Sequence, residues 1–83
     1  MASAVVSGTV TRGGVPAAGM YVRLLDRSGE YTGEHRTRED GAFLFNTSPG
    51  DWTLVVLGHG VERQERTVSV AEGGHARVDL AVG

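Results

Sequence analysis

The stretch from Glu39 to Val56 constrains this chain more than any other. Glu39-Asp40-Gly41-Ala42-Phe43-Leu44-Phe45-Asn46 is followed at once by Ser48-Pro49-Gly50-Asp51-Trp52-Thr53-Leu54-Val55-Val56. An Asp-Gly turn launches a strand with two aromatics two residues apart, and a Pro-Gly turn sends the chain back along a strand in which Trp52, Leu54 and Val56 alternate. Period-two alternation between turn residues is half of a small β-sandwich.

Similar signals cover the rest. Ala4–Thr11 sets Val6, Gly8 and Val10 against Val5, Ser7 and Thr9, then stops at Gly13-Gly14. Pro16 offers no N–H and Gly19 invites a bend, so Val15–Gly19 reads as a loop. Met20–Asp26 alternates Met20, Val22 and Leu24 with Tyr21, Arg23 and Leu25. Gly33–Arg38 has almost nothing apolar to bury, which suits an edge. Strands follow at Ala42–Asn46, Asp51–Leu57, Glu65–Val70 and His75–Val82, the last with Ala76, Val78, Leu80 and Val82 on one face. These spacings, without helical periodicity, predict an all-β, seven-stranded sandwich over a single domain, residues 1–83.

At 83 residues and without cysteine, the chain must hold itself by packing alone. The net charge of −2 argues against nucleic acid as a partner. No apolar run is long enough for a membrane span, and Met1-Ala2-Ser3-Ala4-Val5-Val6 reads as strand rather than signal peptide, so a cytoplasmic location is expected. All eight basic residues are Arg, and Lys and Ile are absent, the mark of a GC-rich genome.

Candidate chemistry is sparse. His35, His59 and His75 show no short ligand spacing, and Ser28 and Ser48 lie in no nucleophile elbow. The carboxylates of Asp26, Glu30, Glu39, Asp40 and Asp51 are turn residues without the order of a calcium loop. No cofactor, no metal and no catalysis are therefore expected. The apolar outward positions are more informative. If Met20, Val22, Leu24 and Trp52, Leu54, Val56 face the core, then Tyr21, Arg23 and Leu25 must point outward, as must Val55 and Leu57. Aromatic, aliphatic and Arg side chains together have the composition of an interface centre. Coverage by flanking loops is the alternative. The expectation is a non-catalytic module that meets a protein partner, or a second copy of itself, through this outer face or an edge strand. The competing readings are an accessory subunit or small enzyme and a structural spacer in a larger secreted protein.

Ser7-Gly8-Thr9-Val10, Gly14-Val15-Pro16-Ala17-Ala18-Gly19, Val22-Arg23-Leu24, Asp40-Gly41-Ala42-Phe43-Leu44-Phe45 and Pro49-Gly50-Asp51-Trp52-Thr53-Leu54 together resemble the carboxypeptidase regulatory-like domain. The resemblance implies a seven-stranded sandwich related to transthyretin. Trp52, where Tyr is usual, and Arg23-Leu24-Leu25-Asp26 followed by Glu30-Tyr31-Thr32 look like a small actinobacterial family of unknown function. Its members are often encoded beside a thiosulfate sulfurtransferase, which implies a link to sulfur metabolism. The hydroxyisourate hydrolases of the transthyretin-like fold show a His-x-Leu-Asp start and a Tyr-Arg-Gly-Ser end, and neither stands in this sequence.

Overall fold

The computed structural model describes residues 4–82, so both ends of the expected 1–83 domain, residues 1–3 and 83, lie outside the described residues. Two sheets face each other, and the described residues contain no helix. In chain order the strands are β1 (Ala4–Arg12), β2 (Val15–Pro16), β3 (Tyr21–Leu25), β4 (Tyr31–Arg36), β5 (Ala42–Thr47), β6 (Gly50–Leu57), β7 (Gln64–Val70), β8 (His75–Arg77) and β9 (Leu80–Val82). One sheet runs β2-β1-β5, with β8 and β9 also paired to β1; the other runs β4-β3-β6-β7.

Among the described residues nine strands replace the expected seven. Val15–Pro16, expected as loop, pairs with Thr11 and Arg12 instead. Gly13 and Gly14 (φ 61° and 80°) supply the two positive φ values of a tight hairpin turn, and Pro16 sits at the ladder's end. The expected strand His75–Val82 is interrupted at Val78-Asp79. Its two halves keep one offset on β1, Ser7 opposite Arg77 and Val10 opposite Leu80, both parallel. At the break the Val78 carbonyl approaches Gly8 so closely that a Cβ there would lie 1.6 Å from its oxygen. The Asp79 carboxylate accepts the Thr9 N–H at 3.2 Å and the Thr9 hydroxyl at 3.0 Å, replacing the missing ladder contact.

The Pro49-Gly50 turn carries the chain from one sheet to the other, for β5 pairs with β1 whereas β6 pairs with β3 and β7. The Asp40-Gly41 turn crosses between sheets as well. Gly41 takes the positive φ expected of it (77°), and a Cβ would meet the Val10 carbonyl oxygen at 2.4 Å. The weak polar strand is an edge, as its composition requires, but it runs Tyr31–Arg36 rather than Gly33–Arg38. Thr37 leaves the ladder to tie a loop, its hydroxyl accepting the Met20 N–H at 2.9 Å and donating to the Ala17 carbonyl at 2.7 Å.

Val6, Val10, Val22, Leu54 and Val56 are fully buried between the sheets with Phe43, Phe45, Leu24, Val78 and Leu80. Each contributes on the order of 1.5–3 kcal/mol of burial. Trp52, expected at the centre of this core, packs against it only half-buried. Its indole N–H donates to the Ser48 carbonyl at 3.0 Å, so the ring lies at the rim where that acceptor stands.

Candidate functional site

Pairing of β3 with β6 places Tyr21, Arg23, Leu25, Val55 and Leu57 on one outer face, as their alternation requires. The face is not the open apolar patch those residues suggested. Val55 is 2% exposed, Leu25 and Leu57 are half-buried, and only Tyr21 and Arg23 are exposed. Val55 belongs to the outer side and not to the core cluster, so its cover comes from outer neighbours. Across the ladder it lies between Arg23 and Glu65. The Arg23 Nε is 2.9 Å from a Glu34 carboxylate oxygen, and Arg63 holds Glu65 at 3.0 Å. Long stems laid over an apolar residue with paired heads in water bury the Val that short side chains would have left open. Arg23 also stacks over the Tyr31 ring and Arg36 over Tyr21, each guanidinium carbon 5.9 Å from the ring centroid.

The opposite outer face, that of the five-stranded sheet, holds a concavity of about 520 Å³. Outward residues of three strands and one turn build it. Ser7 and Thr9 come from β1, Ala42 and Leu44 from β5, Arg77 from β8, and Arg38 and Asp40 from the turn between β4 and β5. Register puts Arg77, Ser7 and Leu44 in one row. Leu44 is 47% exposed on β5, at the edge of the sheet. The turn is closed by the Gly41 N–H donating to the Arg38 carbonyl at 2.8 Å, and Asp40 caps it by accepting the Ala42 N–H at 3.0 Å.

His35 closes one wall. Its Nδ1 is 3.0 Å from the Leu44 nitrogen and its ring meets Phe45 edge-on, so a ring protonated at Nε2 accepts the Leu44 N–H and seals the open edge of β5. On the other side Ser7 Oγ and His75 Nε2 share a 2.5 Å hydrogen bond across 68 residues of sequence. Sequence reasoning missed this pair, because only the parallel register of β1 and β8 brings it together. No described residue is bonded to the His75 Nδ1, so the contact lacks the third group that orients a base in a nucleophilic triad. His59 is exposed in a separate turn. No group of three His, Cys, Asp or Glu side chains able to hold a metal occurs among the described residues.

Three ion pairs are formed among the described residues, and Arg38 takes part in none. Arg77 is 3.3 Å from Asp79, with both side chains more than half exposed. The Asp79 carboxyl is held below its ordinary value chiefly by the Thr9 hydroxyl, which outweighs the opposing desolvation, with Arg77 and the Thr9 N–H adding to it.

The fold is shared with part of two dioxygenases at low sequence identity. A 3-chlorocatechol 1,2-dioxygenase from Rhodococcus opacus 1CP superposes over 98% of this chain and 59% of its own, with a TM-score of 0.74 and 14% identity. A hydroxyquinol 1,2-dioxygenase from Pseudomonas putida DLL-E4 gives 0.75 and 12%, over 98% and 56%. Sequence relatives include two uncharacterized Mycobacterium tuberculosis proteins, Rv0814c and Rv3118. Each is 44% identical over 54 residues, or 64% of this chain and 54% of the relative. The chain thus spans about half the length of the relatives it matches. A family model aligns with residues 1–82, and by that match the chain belongs to DUF1416, a protein family of unknown function.

Proposed function

We propose that this chain is a non-catalytic protein-binding module that works through the outer face of its five-stranded sheet. The observation that carries the reading is the concavity with Leu44 47% exposed in its lining, together with Arg38, Arg77 and His35. A large aliphatic residue in a hollow with a polar, Arg-bearing rim is the arrangement from which interface hot spots are made. The finer fold assignment, to the carboxypeptidase regulatory-like and transthyretin-related sandwiches, is likewise our reading and rests on the Asp40–Phe45 and Pro49–Leu54 motifs.

A second reading moves the contact to the outer face of β3 and β6. The two Arg–Tyr stacks there favour it, with Tyr21 and Arg23 as contacts and Val55 withdrawn. Affinity capture from native extract, paired with light scattering, separates the readings. Leu44→Glu should lose a partner, or a self-associated mass, that Tyr21→Ser keeps. The opposite pattern selects the second face, and a monomer that retains nothing rejects both.

A further inference from the structure

We infer that the concavity takes a carboxylate carried on an apolar stem, an inference resting on the reading of that face as the binding surface. Its charged lining is two guanidiniums, Arg38 and Arg77, against one carboxylate, Asp40. Asp79, 3.3 Å from Arg77, brings the charges about the hollow into balance, so what a ligand can engage depends on which of these groups is free. Arg38 is engaged by no ion pair, and one acceptor oxygen of Asp40 is already occupied by the Ala42 N–H. Arg77 holds Asp79 only in water, where such pairs are worth little and are readily exchanged. A planar fork suits a carboxylate, which it grips through two parallel hydrogen bonds.

Ala42 and Leu44 form the apolar wall along which a stem would lie. The hydroxyls are already committed, Ser7 to His75 and Thr9 to Asp79, and the Leu44 N–H is taken by His35. The guanidiniums alone would grip a phosphate as well as a carboxylate, but a hydrated inorganic phosphate leaves the apolar wall uncovered, whereas an acid on an apolar stem covers it.

The chemistry could come from a free aromatic or aliphatic acid or from the C-terminus of a partner chain. Nitrogen-15-labelled protein titrated with sodium benzoate should show saturable amide shifts at Ser7, Thr9, Ala42 and Leu44. Benzamide and inorganic phosphate should not. Arg38→Gln should weaken benzoate about tenfold or more while keeping the dispersed native spectrum, as expected on losing a charge-assisted bond. Acetyl-Ala-Ala-Phe with a free carboxylate, compared with its amide, tells the sources apart. Tighter binding than benzoate identifies a chain terminus, and equal or weaker binding identifies a small acid.

Equal binding of benzamide, or no saturation by any carboxylate up to about 10 mM, would overturn the inference. If that happens while Leu44→Glu still strips a protein partner, the binding-module reading survives alone. If benzoate saturates and Leu44→Glu strips nothing, the carboxylate site stands and the protein-binding reading falls.

Discussion

The two outer faces of this sandwich use the same residue types and arrive at opposite surfaces. On the outer face of the four-stranded sheet Arg23 is matched to Glu34 and Tyr31 and Arg36 to Tyr21, and the aliphatic Val55 lies beside them. On the five-stranded sheet Leu44 lies open, Arg38 is unmatched, and the surface is hollow. Whether neighbouring strands supply partners in register decides the outcome. Glu34, Arg23, Val55 and Glu65 stand in one row, which lets opposite charges meet above a valine. In the row of Arg77, Ser7 and Leu44 no acid stands opposite the Arg, so the leucine is left uncovered.

The hollow face lies beside the break between β8 and β9, and the largest expected effect follows from that. Gly8→Val would drive a side chain into the Val78 carbonyl, with backbone and not a flexible side chain as the obstacle. A loss of about 3 kcal/mol or more is expected, at or beyond the upper range for overpacking, enough to unfold so small a domain. Gly33→Ala is the contrast on the other sheet, because its Cβ would find only an ordinary 3.8 Å contact with Phe45. Chemical denaturation of both variants checks the difference, and equal midpoints would mean that the Val78 carbonyl does not approach β1 in this way.

The next effect is smaller and bears directly on the two faces. Val55→Ala should cost about 1–2 kcal/mol, since it removes buried methyl groups. Leu44→Ala should stay within about 0.5 kcal/mol, as substitutions of exposed side chains do. Val55→Glu, which an exposed patch would tolerate, should instead destabilise by burying a charge. Should Leu44→Ala prove the costlier of the two alanine variants, the assignment of open and roofed faces would have to be exchanged.

Which of these features the sequence announces follows from the range of the interactions involved. Alternation in Met20–Asp26 and Asp51–Leu57 correctly predicts that these strands present Tyr21, Arg23, Leu25, Val55 and Leu57 on one side, because period two is local. It cannot say that Val55 is covered, since its neighbours across the ladder are Arg23 on β3 and Glu65 on β7. The concavity is less legible still. Ser7 and His75 are joined only by a parallel pairing of chain ends, and His35 reaches Leu44 from the other sheet. The Pro49-Gly50 turn illustrates the same limit: turn chemistry marks a change of direction and leaves open whether the next strand joins the same sheet.

The smallest expected effect concerns acid, and it compares a carboxylate on each sheet. Asp79 beside β1 and Asp26 after β3 both have depressed carboxyl pKa values, Asp79 chiefly through the Thr9 hydroxyl and Asp26 chiefly through the Ser28 hydroxyl and the Glu30 N–H. A group whose folded value lies below the ordinary 3.8 stabilises the fold above that pH and loses the contribution as pH falls through its folded value. Asp79→Asn should therefore lower the melting temperature slightly at neutral pH, and the gap to the parent should close below about pH 3.8. Asp26→Asn should behave alike in stability, because its bonds also favour the charged form. The two should part in binding. Removing Asp79 frees Arg77 at the edge of the hollow and should tighten benzoate there, whereas removing Asp26, on the other sheet, should leave benzoate unchanged. A stability gap for Asp79→Asn that persists at low pH would show that the side chain acts through shape and neutral hydrogen bonding. Unchanged benzoate affinity in the same variant would show that the Arg77–Asp79 pair does not compete for the site.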